Sequence, residues 1–228
     1  MGSFVGPKIE DTDILFTINA IDKNSYVGSG TSVSDLIGSN NATLTNGVAY
    51  DSDGYFELDG SNDYIVLTSA PFTAANGEFT VSFWCRPDVY GQHKRIISWG
   101  GSSGTRFFIG YNNTTSTFDM GIGNQTVTPS PTVVPPTDGS WTKIDVTNTT
   151  VGGNSTKFYK NGLLAVSTSH SNSATISSDE ARIGRQYGSN GEYWNGGIGQ
   201  VTIYSRALTA TQLKDNFENQ KTKYGFNI

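Results

Sequence analysis

The sequence predicts an all-β domain, a sandwich or barrel of many short strands closed by one short helix. Three observations point to it. Segments with period-two alternation recur at short intervals between residues 14 and 204, separated by turn formers, which is the spacing of a sandwich or barrel. Only 15% of the residues are charged, against about a quarter in a typical globular chain, and Gly, Ser, Thr and Asn take up the room. A single segment, around residues 209–217, has a helix start signal and helical periodicity. With 228 residues, 35% of them hydrophobic, the chain is long enough to bury one core.

Residues 1–12 read as a polar N-terminal arm with Gly2, Gly6 and Pro7, an acidic end from Glu10, and three apolar anchors, Phe4, Val5 and Ile9. Too apolar-poor to order itself, such an arm is ordered only where something holds it; a neighbouring subunit and the arm's own sandwich are the two options. Residues 13–228 read as a single domain, with no internal repeat and no composition shift. Strand signals fall at 14–21, 54–59, 63–68, 79–86, 94–99, 105–111, 117–122, 141–147, 156–160, 163–168, 181–185 and 198–204. Asn161-Gly162 between two of them predicts a hairpin, because both residues tolerate the positive φ of a type I′ turn. Pro129, Pro131, Pro135 and Pro136 make 128–138 a stiff loop rather than a strand. Thr209 and Gln212 form a capping box, and Leu208 and Leu213 occupy the positions of a hydrophobic staple. Leu208, Leu213 and Phe217 are expected to plug an open end of the sandwich.

Composition excludes several function classes. A net charge of −5 with no basic cluster argues against nucleic acid or an anionic membrane as partner. Cys85 is the only cysteine, so there is no disulfide framework or thiolate metal site; in phase with Phe79, Val81 and Phe83, it reads as a small core residue. No segment resembles a signal peptide or a membrane span, which predicts folding in a cytoplasm. His93 and His170 lie in polar surroundings without a pattern that suggests a triad.

Several blocks, in order, resemble the LamG-like domains of the concanavalin A-like lectin/glucanase superfamily. They are Tyr55-Phe56-Glu57-Leu58-Asp59-Gly60-Ser61-Asn62-Asp63-Tyr64-Ile65, Phe79-Thr80-Val81-Ser82-Phe83-Trp84 and Ser140-Trp141-Thr142-Lys143-Ile144. Lys157-Phe158-Tyr159-Lys160-Asn161-Gly162, Arg182-Ile183-Gly184-Arg185 and Trp194-Asn195-Gly196-Gly197-Ile198 follow, and Val201 to Thr209 complete the series. The resemblance implies a two-sheet antiparallel jelly-roll sandwich with one short C-terminal helix. An N-terminal block, Ser25-Tyr26-Val27-Gly28-Ser29-Gly30-Thr31 with Asp35-Leu36 and Thr43 to Gly47, is similar to LamG-like domains of bacteriophage tail, fibre and capsid-associated proteins. It implies a virion component, decorating a capsid or tail, assembled in the host cytoplasm with other virion proteins and copies of itself. The alternative is a dedicated carbohydrate-binding module of a cell-surface or secreted protein.

The resemblance also frames the site readings. Glucanases of the superfamily place carboxylates along one strand as Glu-x-Asp-x-x-Glu; this chain has no such run, so no enzyme is expected. No cofactor is expected either, apart from a possible structural Ca²⁺. Relatives hold it near the turn matching Asp59, Asn62 and Asp63, helped by an Asp-Glu pair that here reads Gly199-Gln200. Two lost carboxylates weaken a site for a hard cation. For a surface polysaccharide, aromatic residues in polar loops are the candidates: Tyr187, Asn190, Glu192, Tyr193 and Trp194 as the best cluster, with Tyr111 and Tyr90 elsewhere.

Overall fold

The structure is a computed structural model, and it describes residues 10–73, 77–88, 92–101, 104–130, 132–150, 155–171, 175–188 and 191–226. In chain order the strands are β1 (Ile14–Asn19), β2 (Ser32–Val33), β3 (Ala42–Thr45), β4 (Ala49–Asp51), β5 (Tyr55–Asp59), β6 (Tyr64–Leu67), β7 (Phe79–Pro87) and β8 (Lys94–Trp99). Then come β9 (Phe107–Asn112), β10 (Thr117–Ile122), β11 (Gln125–Val127), β12 (Thr142–Thr149), β13 (Ser155–Lys160), β14 (Leu163–Ser169), β15 (Ala181–Ile183) and β16 (Asn195–Tyr204). Helix α1 (Ala210–Gln220) and a 3₁₀ turn (Lys221–Tyr224) close the chain.

Two antiparallel sheets face each other. The first runs β14-β13-β12-β7-β16-β5-β4 and the second β11-β10-β9-β8-β15-β6-β3-β2. Strand β16 is long enough to serve two partners on one edge. Asn195–Ile198 pair with β5, and the residues from Gln200 to Tyr204 pair with β1. Period-two alternation fills the space between the sheets. Phe79, Val81, Phe83 and Cys85 of β7 meet Phe107, Ile109, Phe118 and Met120 in one core. Burial pushes the Cys85 thiol well above its usual range, leaving it an apolar filler.

Residues that alternate with these point outward, and on the first sheet they too are buried. Here the expected end plug is corrected. Leu208 and Leu213 pack with Tyr159 and Tyr204, while Phe217 stacks on Trp84 at 5.7 Å and Tyr224 on Trp84 at 4.1 Å. Helix α1 therefore roofs the outer face of the first sheet. The physical reason is the large outward residues of that sheet, Trp84, Tyr159 and Tyr204, which would otherwise face water. Thr209 and Gln212 make both halves of the capping box, and Asn161-Gly162 adopts φ values of 52° and 76°, as the turn requires.

Residues 10–12 belong to the domain rather than to a free arm. The Glu10 amide donates to Asn216 Oδ1 at 2.7 Å, Tyr204 donates to the Glu10 carbonyl at 3.1 Å, and Arg206 meets its carboxylate at 3.1 Å. Phe4, Val5 and Ile9 lie outside the described residues. Four short strands, β2, β3, β4 and β11, go beyond those expected from the sequence.

Candidate functional site

Helix α1 covers part of the first sheet, and the second carries a set of half-buried rings and guanidinium groups on its outer face. Tyr64 on β6, Arg182 on β15, and Arg185, Tyr187 and Tyr193 in the following loop form one ladder there. Arg182 lies 5.0 Å from the Tyr187 ring and 5.3 Å from the Tyr64 ring; Arg185 lies 4.8 Å from Tyr64 and 4.9 Å from Tyr193. Guanidinium groups over ring faces at these distances are held by cation–π attraction.

Backbone geometry sets the ladder. Gly184 has φ 89°, and a Cβ there would lie 2.1 Å from Leu58 Cδ2, so only glycine lets the chain turn past the core. The buried Ser98 hydroxyl donates to the Arg185 carbonyl and accepts from the Tyr187 amide, both at 2.7 Å. The loop that presents Arg185 and Tyr187 is thus pinned to β8 at two points.

Beside the ladder sits a buried ionic group. Arg95 lies over Phe108 at 3.8 Å and pairs with Glu192 at 2.9 Å; its Nε also donates to Gln186 Oε1 at 2.9 Å. Asp119 faces Arg95 at 3.8 Å and accepts from Asn112 Nδ2 at 2.9 Å. Burial lowers the affinity of Arg95 for its proton and raises that of Asp119, and the opposite charge of each partner works against that. Asp119 Oδ1 and Arg95 Nη1 are buried without a hydrogen-bond partner among the described residues. Gly121 makes the floor flat, since a Cβ there would lie 2.0 Å from the Phe108 ring.

Of the residues expected from the sequence, Tyr187, Glu192 and Tyr193 come together on this face. Trp194 and Tyr111 do not join them: they are 1% and 7% exposed and belong to the core between the sheets. Alternation explains Tyr111, which shares the inward face of β9 with Phe107 and Ile109. Tyr90 and Asn190 lie outside the described residues. Tyr64, Arg95, Arg182 and Arg185 were missed as site residues. Their signal was the outward phase of each strand, hidden because Arg182 and Arg185 stand in a block that reads as fold-determining.

The possible calcium turn is occupied by its own backbone. Asp59 Oδ1 accepts from the amides of Ser61 at 2.8 Å and Asn62 at 3.2 Å, and Asp63 Oδ2 accepts from the Asp59 amide at 3.3 Å. Those amide bonds hold the Asp59 carboxyl below its usual range, while burial raises Asp63. Gly199 faces the Tyr224 ring, and Gln200 donates to Thr202 at 3.1 Å. Among the described residues no three His, Cys, Asp or Glu side chains are grouped to hold a metal. The donor set does not fit Ca²⁺, which takes six to eight oxygens.

Solved structures share this architecture at low identity, which speaks to fold alone. Domain 4 of AbnA, an extracellular arabinanase of Geobacillus stearothermophilus solved with arabinotriose, has a TM-score of 0.68 at 19% identity, covering 91% of this chain and 99% of that one. Trypanosoma rangeli sialidase matches with a TM-score of 0.71 at 12% identity over 99% of this chain, which spans 36% of the sialidase. The binding domain of botulinum neurotoxin serotype G matches with a TM-score of 0.65 at 16% identity, covering 92% of this chain and 51% of that one. No curated protein sequence matches. The model of the concanavalin A-like lectin/glucanase superfamily matches residues 59–214, more than half of the sequence, and the chain therefore belongs to that superfamily.

Proposed function

We propose that this domain is a non-catalytic recognition module that binds surface polysaccharide through the outer face of its second sheet. The observation that supports it is the ladder of Tyr64, Arg182, Arg185, Tyr187 and Tyr193. Tyr64, Tyr187, Tyr193 and Arg182 are half-buried and can meet a sugar ring, with Arg182 held in place by Glu180, while Arg185, 8% exposed, packs against Tyr64 and Tyr193 and sets their orientation. A lectin-like fold is the natural carrier for such a face, although fold does not set function by itself. The Glu57 and Asp88 carboxylates come together, and both are engaged by Arg86, at 2.8 Å and 3.5 Å, which supports a role as its anchors.

The setting that the N-terminal sequence block supports is a phage virion, where the domain decorates a capsid or tail. In that setting Phe4, Val5 and Ile9 dock on a neighbouring copy or another virion protein. Deleting residues 2–9 leaves the Glu10 contacts in place. The truncated protein should keep its melting temperature and fail to join its oligomer or particle; unchanged assembly would remove this part of the proposal. For the recognition role, the protein is incubated with a panel of bacterial and algal polysaccharides. Pelleting and reducing-end release are both measured. Binding of at least one polysaccharide without release is expected, and release above that of a heat-killed control would show an enzyme instead.

A further inference from the structure

We propose that a hollow on the outer face of the first sheet is a second binding site, formed by Tyr55, Arg86, Trp141 and the 3₁₀ turn, and that it takes a neutral sugar ring. The hollow encloses about 320 Å³ and is lined by Asp53, Tyr55, Arg86, Trp141, Lys223 and Tyr224. That is the small end of the range for ligand pockets, about 300–1,000 Å³. It lies at the edge of the roof, where the 3₁₀ turn leaves the β5 side of the sheet uncovered, and it shares no residue with the ladder.

Its walls are built and held. Trp141 is wedged between Tyr55 at 5.2 Å and Tyr224 at 5.0 Å. Both Trp141 and Tyr55 press on Gly197 of β16, where a Cβ would lie 2.8 Å from Trp141 Cη2 and 3.2 Å from Tyr55 Cδ2. A side chain at that position would lift the rings, and glycine lets them settle onto the strand. Arg86 is fixed from three sides. It donates to the Tyr55 hydroxyl at 3.3 Å and to Glu57 at 2.8 Å, and it faces Asp88 at 3.5 Å. Its guanidinium rests 4.8 Å from the Tyr55 ring centre.

The charges select the ligand class. Of the charged groups in the lining, Arg86 is already paired with Glu57 and Asp88, and Asp53 and Lys223 carry opposite signs. Neither an anion nor a cation finds an uncompensated charge to pair with here. An apolar ligand would strip water from charged groups without replacing their hydrogen bonds, which is costly. A neutral polyol ring suits all of the lining. Its hydroxyls donate to Asp53 and accept from Arg86 and Lys223, and its C–H face meets the aromatic wall.

The experiment is calorimetric titration of the full chain with three neutral hexasaccharides: cellohexaose, xylohexaose and linear arabinohexaose. Four proteins are compared: wild type, Trp141→Ala, Asp53→Ala, and the ladder variant Arg182→Ala/Tyr193→Ala. Asp53 is exposed, so its variant keeps the test informative if Trp141→Ala fails to fold. At least one sugar should bind wild type, Asp53→Ala should weaken it about tenfold, and the ladder variant should bind unchanged. No binding of any of the three at about 10 mM, or undiminished binding by Asp53→Ala, overturns the proposal. If affinity falls only in the ladder variant, the hollow is not the site, and the reading of the second sheet stands without it.

Discussion

Replacing Gly199 by alanine adds one methyl group where the 3₁₀ turn leaves no room for it. An ideal Cβ there would lie 2.4 Å from Tyr224 Cε1 and 2.5 Å from its hydroxyl oxygen. The ring is held, stacked on Trp84 at 4.1 Å and abutting Trp141 at 5.0 Å. Gly199 itself lies where the pairing of β16 with β7 breaks register, between β5's pairing up to Ile198 and β1's from Gln200, and its carbonyl accepts from the Ala20 amide at 3.2 Å. Overpacking of this kind costs about 1–3 kcal/mol. Removing glycine freedom from the unfolded chain returns about 0.4–1 kcal/mol. The net loss, about 1–2 kcal/mol, lowers the melting temperature by roughly 2–8 °C in a chain of this size. Thermal unfolding followed by circular dichroism reads it. A cycle with Tyr224→Ala isolates the cause, because the double variant should lose less than the sum of the two single ones. An unchanged melting temperature for Gly199→Ala, or strict additivity, would refute the reasoning.

Two further predictions concern buried charge. Lys143 and Asp145 form an ion pair beneath α1, at 1% and 0% side-chain exposure, and Lys143 also donates to Ser82 at 2.8 Å. Lys143→Met leaves Asp145 buried and unpaired and should cost about 3–5 kcal/mol in urea unfolding, while Lys143→Met/Asp145→Leu should recover most of it; a double variant as unstable as the single one would contradict this. Glu57 is pushed up from 4.5 to about 7, first by burial and then by Asp88, with Arg86 opposing. A raised folded pKa means that its contribution to stability is complete below about 4.5 and is lost as pH rises through about 7. The side chain is 30% exposed, and solvent screening brings the loss to about 1–2 kcal/mol. Glu57→Gln should flatten stability between pH 5 and 8, and an unaltered slope would count against the assignment.

Much of the fold was legible because two local signals are strong. Alternation along β7, from Phe79 to Cys85, places its core face without any knowledge of partners. Thr209, Gln212 and the Asn161-Gly162 turn fix their own geometry through side-chain and backbone chemistry that needs no distant contact. What α1 packs against was not legible, since Trp84 and Tyr204 look like core residues until the sheets are assembled. The short strands β2, β3, β4 and β11, two to four residues each, carry too little alternation to register. At the site, Tyr187, Glu192 and Tyr193 stood out as polar-loop aromatics and a carboxylate. Trp194 misled, because one residue of phase turns a ring from surface to core. The ladder itself joins β6, β15 and the loop after it, and Tyr64 lies far from Arg182 in sequence, so only the sheet order brings them together.

The central claim is that the ladder face binds glycan, and affinity for the polysaccharide that pellets most protein tests it most directly. Titration of that polysaccharide compares wild type with Arg182→Ala/Tyr193→Ala and with the charge-retaining Arg182→Lys. Losing a stacked ring and a fixed guanidinium should weaken binding at least about tenfold, with an intermediate loss for lysine, whose ammonium lacks the planar fork. Equal affinity for all three proteins, each with an unchanged melting temperature, would contradict the account.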